Sequence, residues 1–233
     1  MPSGAAASAD RTPPTASADR TAPVVSADRT APADDTIGTQ DAAYAERLAR
    51  LGGARWKQAL NVQAPYRWNL RRLGLGDTLD VGCGIGRNLV ALSLGSLGVD
   101  HNPHSVEIAR QRGLTAYEPA EFHALAAQRY RRHFDSLLLA HVIEHLTPES
   151  AGTLLAEYLP YLRPGATLAL ICPQEAGYRS DPTHVTFTDF DQMRAFAGRF
   201  GAHVTRELSF PFPRPVGRVF RYNEFVLLAR LPD

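Results

Sequence analysis

Residues 79–88 read LDVGCGIGRN, and this stretch decides the fold. A short apolar strand ends here and leads into three closely spaced glycines, Gly82, Gly84 and Gly86. Glycine lets the backbone turn tightly and approach a ligand closely. We expect a helix over residues 86–94, whose free N–H groups would face that ligand. Open α/β sheets bind ligands at the carboxyl ends of their strands, so the stretch predicts a cofactor site at such an edge.

The spacing of the glycines distinguishes between classes of cofactor. The dinucleotide fingerprint G-x-G-x-x-G would place its third glycine at position 87, which is Arg87. Asp100 closes the second predicted strand, where a carboxylate can accept hydrogen bonds from both hydroxyls of a ribose. A simpler role for Asp100 is to cap the helix that begins after Asn102. The acid and the glycine loop together favour nucleoside binding over that simpler role.

Strands and helices alternate from residue 76 onward. The predicted strands cover residues 79–82, 97–100, 114–117, 134–140, 166–172, 203–210 and 224–230. The last two strands have no clear helix between them, which suggests an antiparallel pair at one edge. The pattern predicts a Rossmann-like α/β fold, with a mostly parallel seven-stranded sheet and helices on both faces.

The N-terminal part of the chain differs from the rest. Residues 7–33 hold three tandem nine-residue units, which read ASADRTPPT, ASADRTAPV and VSADRTAPA. Such small, polar, proline-bearing units cannot bury enough apolar area to offset their ordering entropy. We therefore predict a disordered tail over residues 1–37 and an N-terminal helical cap over residues 38–75, whose last helix follows Pro65. The main domain is expected over residues 76–233.

Composition argues against several classes of protein. The 25 basic and 24 acidic residues give a net charge of +1, which provides no general attraction to nucleic acid or to an anionic membrane. No apolar run approaches the length of a membrane span, and the N-terminus lacks the apolar core of a signal peptide. The two cysteines, Cys83 and Cys172, cannot build a disulfide scaffold. We expect a cytoplasmic protein with reduced thiols and a small-molecule substrate, without a nucleic-acid or membrane partner.

Four segments in the correct order resemble the class I S-adenosylmethionine-dependent methyltransferases. They are LDVGCGIGRN at residues 79–88, GVD ending at Asp100, HVIEHL at 141–146 and LRPGATLALICPQ at 162–174. The resemblance covers roughly residues 76–230. It implies S-adenosyl-L-methionine as the cofactor, with the methionine part held by the glycine loop and the ribose bound by the acid after the second strand.

The resemblance assigns cofactor contacts to particular residues. The candidate cofactor-binding residues are Asp80, Gly82, Cys83, Gly84, Gly86, Asp100, His101, Glu118 and His141. Glu118, near the end of the third strand, is the nearest candidate to border the adenine, with Tyr117 and Phe122 beside the ring. Cys83 is interpreted as a small buried residue of the loop. His141 is expected near the cofactor whether or not it takes part in the chemistry.

Two histidines are candidates for the chemical step. Methyl transfer is an in-line displacement from a sulfonium, so the protein mainly positions the reactants. When the acceptor is a hydroxyl, a general base helps to remove its proton, and histidine suits that task near neutral pH. His141 follows the fourth strand, and His184 lies in the loop after the fifth. We expect His184 to be the base, with Asp181 orienting its ring, and His145 to be structural.

A metal site is not predicted from the sequence. Asp181, His184, His141 and Glu144 are donors of a suitable type, but their spacing fits no compact metal motif. The absence of paired cysteines argues further against zinc.

The sequence therefore predicts an enzyme that methylates a small molecule, with oxygen as the expected target atom. Residues 180–190 (SDPTHVTFTDF) resemble a segment near the acceptor pocket of some methyltransferases that act on sugars or on polysaccharide and secondary-metabolite intermediates. One alternative is an NAD(P)-dependent oxidoreductase. Another is a non-catalytic partner protein that binds S-adenosylmethionine.

Overall fold

The structure is a computed structural model, and it describes residues 63–233. The predicted tail and the first helices of the predicted cap lie outside the described residues. The separation of the chain into tail, cap and main domain stays a prediction.

The described part contains a single sheet of seven strands. They are β1 (Thr78–Val81), β2 (Leu97–Val99), β3 (Ala116–Tyr117), β4 (Phe134–Ala140), β5 (Leu162–Pro173), β6 (His203–Phe210) and β7 (Glu224–Arg230). Their order across the sheet is β3-β2-β1-β4-β5-β7-β6. Strand β7 runs antiparallel to β5 and β6, and the other neighbouring pairs are parallel. The predicted Rossmann-like sheet with an antiparallel pair at one edge is confirmed.

Five of the six helices of the described part begin at a local sequence signal, and the short helix at Glu175–Tyr178 does not. They are α1 (Ala64–Arg72), α2 (Pro103–Gln111), α3 (Pro119–Arg129), α4 (Pro148–Tyr158), α5 (Glu175–Tyr178) and α6 (Phe190–Gly198). Proline lies in the first turn of α1 to α4, where its fixed φ is already helical. The side chains of Asn102, Thr147 and Asp189 accept hydrogen bonds from the first N–H groups of α2, α4 and α6. Among residues 63–233, no helix is both long and apolar enough to cross a membrane.

Successive residues of a strand point to opposite sides of the sheet, so β4 contacts helices on both faces. Leu139 of β4 belongs to the core shared with α3, α4 and α6, in which Leu155 is fully buried. Leu138, one residue earlier, belongs to a second cluster with Leu70 of α1. Helix α1 thus covers the face of β4 that is opposite α4.

The helix expected over residues 86–94 does not form. Residues 82–96, all of them described, contain turns and one 3-10 turn at Leu89–Ala91. The hydroxyl of Ser93 already donates to the carbonyl of Gly76 at 3.1 Å and to Oδ1 of Asp77 at 2.6 Å, at the amino end of β1. The few residues between the glycine loop and Ser93 must run from the carboxyl edge of the sheet back to the amino end of β1. This path leaves no room for a helix of several turns.

Candidate functional site

A cavity of about 860 Å³ lies at the carboxyl edge of the sheet. This volume is within the range of about 300–1,000 Å³ that is usual for small-molecule sites. Gly82 and Gly84 line it from the glycine loop, and Asp100 lines it from the end of β2. His141 and His184 line it from the loops after β4 and β5. These five candidates for cofactor and acceptor binding therefore share one cavity.

The glycine loop has positive φ angles, which residues other than glycine rarely adopt. Its glycines have φ values of +78° at Gly82, +53° at Gly84 and +77° at Gly86. A Cβ at position 82 would also lie 2.4 Å from Cγ2 of Val142, so the loop packs closely on the segment after β4. A Cβ at position 86 would lie 2.3 Å from Cδ1 of Leu114. Gly86 is absent from the cavity lining formed by the described residues, and its role in the structure is packing.

The N–H groups of the loop are used within the protein. Those of Gly82 and Cys83 both donate to the carbonyl of Val99, at 2.8 and 3.1 Å. That of Gly84 donates to Oδ2 of Asp100 at 2.7 Å. The helix over residues 86–94, whose first N–H groups were expected to face the ligand, does not form. The loop is instead tied to β2 and to the acid that follows it.

Asp100 combines the two roles considered for it. It is 7% exposed and lines the cavity. Its Oδ1 accepts a hydrogen bond from the N–H of Asn102 at 2.9 Å, and its Oδ2 accepts the one from Gly84. An ionised carboxylate has about four acceptor positions, so capacity remains for the hydroxyls of a ribose. His101 follows it and also lines the cavity, with Nδ1 3.9 Å from Oδ1 of Asp100.

Asp80 is a buried acid that lacks a counter-group. It is fully buried on β1, and neither carboxylate oxygen has a hydrogen-bond partner among residues 63–233. Burial, with a smaller contribution from the charge of Asp100, raises the pKa of Asp80 to about 8. A buried carboxylate without a partner is costly, and a cationic ligand group would offset that cost. The α-ammonium of S-adenosylmethionine is a group of this kind. Asp80 is not itself among the described residues that line the cavity, whereas the next two residues, Val81 and Gly82, are.

We expect Asp80→Asn to stabilise the cofactor-free protein more at about pH 9 than at about pH 5. The folded-state pKa of about 8 lies above the ordinary value of 3.8, so the folded state keeps a proton that the unfolded state loses. Stability is therefore lost as the pH rises from about 4 to about 8, and the loss is complete above that range. Asparagine cannot ionise and removes this loss. Denaturant unfolding at both pH values measures the difference, and an equal effect of the substitution at both would contradict the prediction.

His141 lies between two carboxylates. Its Nδ1 is 3.2 Å from Oε1 of Glu144, and its Nε2 is 2.8 Å from Oε1 of Glu224. Burial lowers the pKa of His141, but these two hydrogen bonds outweigh burial and raise it to about 10. The side chain is 45% exposed, and the two hydrogen bonds to carboxylates set the direction of the shift. At neutral pH the ring carries a proton on both nitrogens.

His184 keeps a free lone pair. Its Nδ1 lies 2.8 Å from the carbonyl oxygen of Tyr178, and the Tyr178 ring stacks on it with centroids 5.4 Å apart. Because a carbonyl only accepts, Nδ1 carries the ring proton and Nε2 keeps its lone pair. The carboxylate of Asp181 instead accepts from the N–H and hydroxyl of Thr183, at 3.1 and 2.7 Å. The Tyr178 carbonyl therefore holds Nδ1 of His184, and the orienting role predicted for Asp181 stays a prediction.

The structure also assembles a cluster that the sequence did not predict. One possible ligand atom from each of Glu144, His145 and His184 lies within 4.8 Å of the other two. The carbonyl of Glu144 accepts from the N–H groups of Val185 and Thr186, at 2.8 and 3.1 Å, which joins the loops after β4 and β5. Burial raises the pKa of Glu144, but the hydrogen bond to His141 and the charge of that ring hold the pKa below its ordinary range. The signal in the sequence was an adjacent Glu-His pair after one strand with a histidine after the next.

The residues expected beside the adenine are placed differently. Glu118, Tyr117 and Phe122 are not among the described residues that line the cavity, whereas Pro119 is. The N–H of Glu118 donates to Oε2 of Glu121 at 3.0 Å, so this residue begins α3. The ring of Phe122 is fully buried in the core.

The cavity is also lined by Cys83, which was a cofactor candidate, and by residues of α1, which were not. Cys83 is 5% exposed, and burial raises the pKa of its thiol well above the usual range, as expected for a small buried residue of the loop. Helix α1 lines the cavity through Tyr66 and Asn69, which the sequence analysis did not select. The hydroxyl of Tyr66 donates to the carbonyl of Tyr222 at 2.7 Å. Helix α1 thereby contacts the segment before β7.

Comparisons with known proteins agree with this geometry. A family model described as a methyltransferase domain matches residues 78–165. No protein among the curated sequences matches the chain significantly. Magnesium protoporphyrin IX methyltransferase from Synechocystis, solved with bound SAH, is 17% identical over 85% of this chain and 100% of its own, with a TM-score of 0.59.

Two further solved structures have the same fold. The N-methyltransferase NodS from Bradyrhizobium japonicum, in complex with S-adenosyl-L-homocysteine, is 15% identical over 79% of this chain and 91% of its own, with a TM-score of 0.54. A chain from the complex between the Haloferax volcanii Trm112 activator and a putative methyltransferase is 16% identical. It covers 82% of this chain and 97% of its own, with a TM-score of 0.60.

The segment that matches the methyltransferase family model includes the glycine loop, Asp100 and the Glu144–His145 pair. The sheet order and the cavity at its carboxyl edge agree with that match. Residues 78–165 are thus similar to a methyltransferase domain, and the described part of the chain has the fold of solved S-adenosylmethionine-dependent methyltransferases.

Proposed function

We propose that this enzyme transfers a methyl group to an oxygen atom of a small polar molecule, of the sugar or secondary-metabolite type. The observation that carries the proposal is the Nε2 lone pair of His184, in the cavity that Gly84 and Asp100 also line. A hydroxyl loses its proton as its oxygen is methylated, and a neutral imidazole can take that proton. The doubly protonated ring of His141 has no lone pair for this task, so we assign proton acceptance to His184.

The remaining candidates have binding roles in this proposal. When bound, S-adenosylmethionine supplies the activated methyl group, so the chain contributes position and exclusion of water. Asp100 accepts hydrogen bonds from the ribose, with His101 beside it. Asp80 offers the counter-charge for the methionine ammonium, and the loop of Gly82 and Gly84 gives close backbone approach.

The wall of the cavity supports a polar acceptor. Charged side chains line it from α4 at Glu149 and Glu157, from the loop after β5 at Asp181, and from the segment before β7 at Arg221. Such groups can hydrogen-bond hydroxyls and carbonyls and fix the orientation of a polar ligand. These charged groups could hold the hydroxyls of a polar acceptor.

We expect the protein to bind S-adenosylmethionine and its demethylated product, and to bind NADH weakly or not at all. Dinucleotide folds hold the pyrophosphate at the N-terminus of the helix that follows the glycine loop. Here no α-helix occupies residues 82–96, and the N–H of Gly84 is committed to Asp100. Isothermal titration calorimetry with the three ligands measures the difference. Tighter binding of NADH would contradict the assignment of the cofactor.

The acceptor is tested by a methyl-transfer screen. Purified protein is incubated with labelled S-adenosylmethionine and a metabolite extract, and the labelled product is located by mass analysis. The expected product is a polar metabolite that carries the label on oxygen. The His184→Ala variant in the same extract is the matched control for background labelling. A product methylated on nitrogen or carbon would refute oxygen as the target.

A further inference from the structure

We infer that Glu144, His145 and His184 form a binding site for one divalent transition-metal ion, at the wall of the cavity that faces the acceptor. The possible ligand atoms of these three residues lie within 4.8 Å of one another. Two imidazoles and one carboxylate form a mixed nitrogen and oxygen donor set, which suits zinc and related first-row ions.

The hydrogen bonds of the two histidines use Nδ1 and leave Nε2 as the ring nitrogen available to an ion, within the described part of the chain. Nδ1 of His145 lies 3.2 Å from the carbonyl oxygen of Thr183, and Nδ1 of His184 lies 2.8 Å from that of Tyr178. Since carbonyl oxygens only accept, both rings carry their proton on Nδ1 and keep a lone pair on Nε2. Metal-binding histidines usually donate their second ring N–H to such a carbonyl or to a carboxylate, and this fixes the tautomer.

The third ligand is a buried carboxylate with unused capacity. Glu144 is fully buried, and one oxygen pairs with Nδ1 of His141. Its other oxygen, Oε2, has no hydrogen-bond partner among residues 63–233. The buried thiol of Cys172 also lies against this carboxylate, but a thiol is only a weak donor. A cation held by Glu144 and the two histidines would satisfy the unpaired oxygen.

The site is preorganised by contacts that do not need an ion. The carbonyl of Glu144 accepts two N–H groups from Val185 and Thr186, and the Thr186 hydroxyl donates to the carbonyl of Leu146 at 2.7 Å. Two ligands at zinc-like distances from one ion can be at most about 4.2 Å apart, so an ion would draw the three groups inward slightly. Three protein ligands would leave one coordination position of the ion for water or an acceptor, as in catalytic zinc sites, and His145 and His184 line the cavity from which either could reach it.

The role of this ion rests on the proposed function. An acceptor oxygen bound at the open position would be acidified by the charge of the ion. In that case the Nε2 lone pair of His184 would hold the ion, and the acidified acceptor hydroxyl would release its proton to solvent water, so the ion would replace His184 as the group that promotes deprotonation. Binding of the ion can be measured without any acceptor.

Titration of the full chain with Co²⁺ tests the inference. The protein is purified without a polyhistidine tag, treated with chelator, and titrated while visible absorption and heat are recorded. We expect one equivalent to bind. His184→Ala and Glu144→Gln should each weaken binding by at least about tenfold to a hundredfold, on the scale seen when metal sites lose supporting groups. His203→Ala, at the exposed start of β6, should bind Co²⁺ as the wild type does.

Affinity for S-adenosyl-L-homocysteine identifies variants that lose Co²⁺ binding only because they no longer fold. Only variants with wild-type affinity for S-adenosyl-L-homocysteine are compared, and His145→Ala replaces Glu144→Gln if the buried substitution unfolds the protein. Absence of Co²⁺ binding by the wild type, or full binding by the ligand variants, overturns the inference. If the wild type methylates an acceptor without binding Co²⁺, the inference fails and the proposed function stands. Specific Co²⁺ binding without a methylated product in the screen supports the site and counts against the proposed function.

Discussion

His184→Ala is expected to lower turnover by about a hundred- to ten-thousandfold, the usual contribution of a positioned acid or base. The affinity for S-adenosylmethionine should be unchanged, because this side chain is carried by the loop after β5 and the cofactor candidates lie at β1 and β2. Its Nδ1 proton is committed to the carbonyl of Tyr178, so replacement removes the one ring nitrogen that can receive a proton or an ion. Single-turnover transfer of a labelled methyl group gives the rate, and calorimetry gives the cofactor affinity.

Two further variants determine whether the loss belongs to His184 itself. His203→Ala removes an exposed histidine at the start of β6 and should keep full turnover. Full activity in His184→Ala together with a loss in His141→Ala would move the proton acceptor to His141. Full activity in both would mean that proximity alone drives the transfer. A joint loss of turnover and cofactor binding in His184→Ala would indicate that the loop has a structural role.

Chelation separates the two ways in which His184 can act. If Nε2 takes the proton directly, chelator-treated wild type keeps its turnover. If Nε2 holds an ion with Glu144 and His145, chelation lowers turnover to the level of His184→Ala, and added Zn²⁺ or Co²⁺ restores it. Restoration should fail in Glu144→Gln, because the ion then lacks its carboxylate ligand.

The sheet could be predicted from sequence because its signals are local. Apolar strands alternate with segments that start at a capping residue and a proline, as at Asn102–Pro103 and Thr147–Pro148, and each of these helices begins as expected. The segment after the glycine loop lacks that signal, and the α-helix expected there does not form. A tertiary contact prevents the helix, because the hydroxyl of Ser93 is hydrogen-bonded to Asp77 at the amino end of β1.

The location of the candidate site could be predicted from the sequence, whereas the hydrogen-bond partners of its side chains could not. Loops after neighbouring parallel strands meet at one edge, so His141 and His184 were expected in one cavity. The carboxylate that holds Nε2 of His141 comes from Glu224, on an antiparallel strand far along the chain. The group that orients His184 is a backbone carbonyl, which leaves no mark in the identity of a side chain. For these reasons the protonation states of the two rings could not be predicted before the fold was known.

Asp100→Ala is expected to weaken binding of S-adenosylmethionine by about ten- to a hundredfold while the fold stays intact. A hydrogen bond to a charged group contributes about 1.5–3 kcal/mol, which corresponds to that range in affinity. Asp100 lines the cavity and has acceptor capacity beyond its bonds to Gly84 and Asn102. Loss of the bond to Gly84 would also loosen the loop that approaches the cofactor, so both effects act in the same direction.

Asn102→Ala is the matched control, because it removes the cap of α2 without removing the acid. The Asn102 side chain accepts from the N–H groups of His104 and Ser105, and loss of such a cap costs about 1 kcal/mol of stability. We expect this variant to unfold at a lower temperature with nearly unchanged cofactor affinity, and Asp100→Ala to show a much larger change in affinity. Calorimetry and thermal unfolding of both variants give the two quantities. An unchanged dissociation constant in Asp100→Ala, with a fall in melting temperature like that of Asn102→Ala, would mean that Asp100 only supports the start of α2.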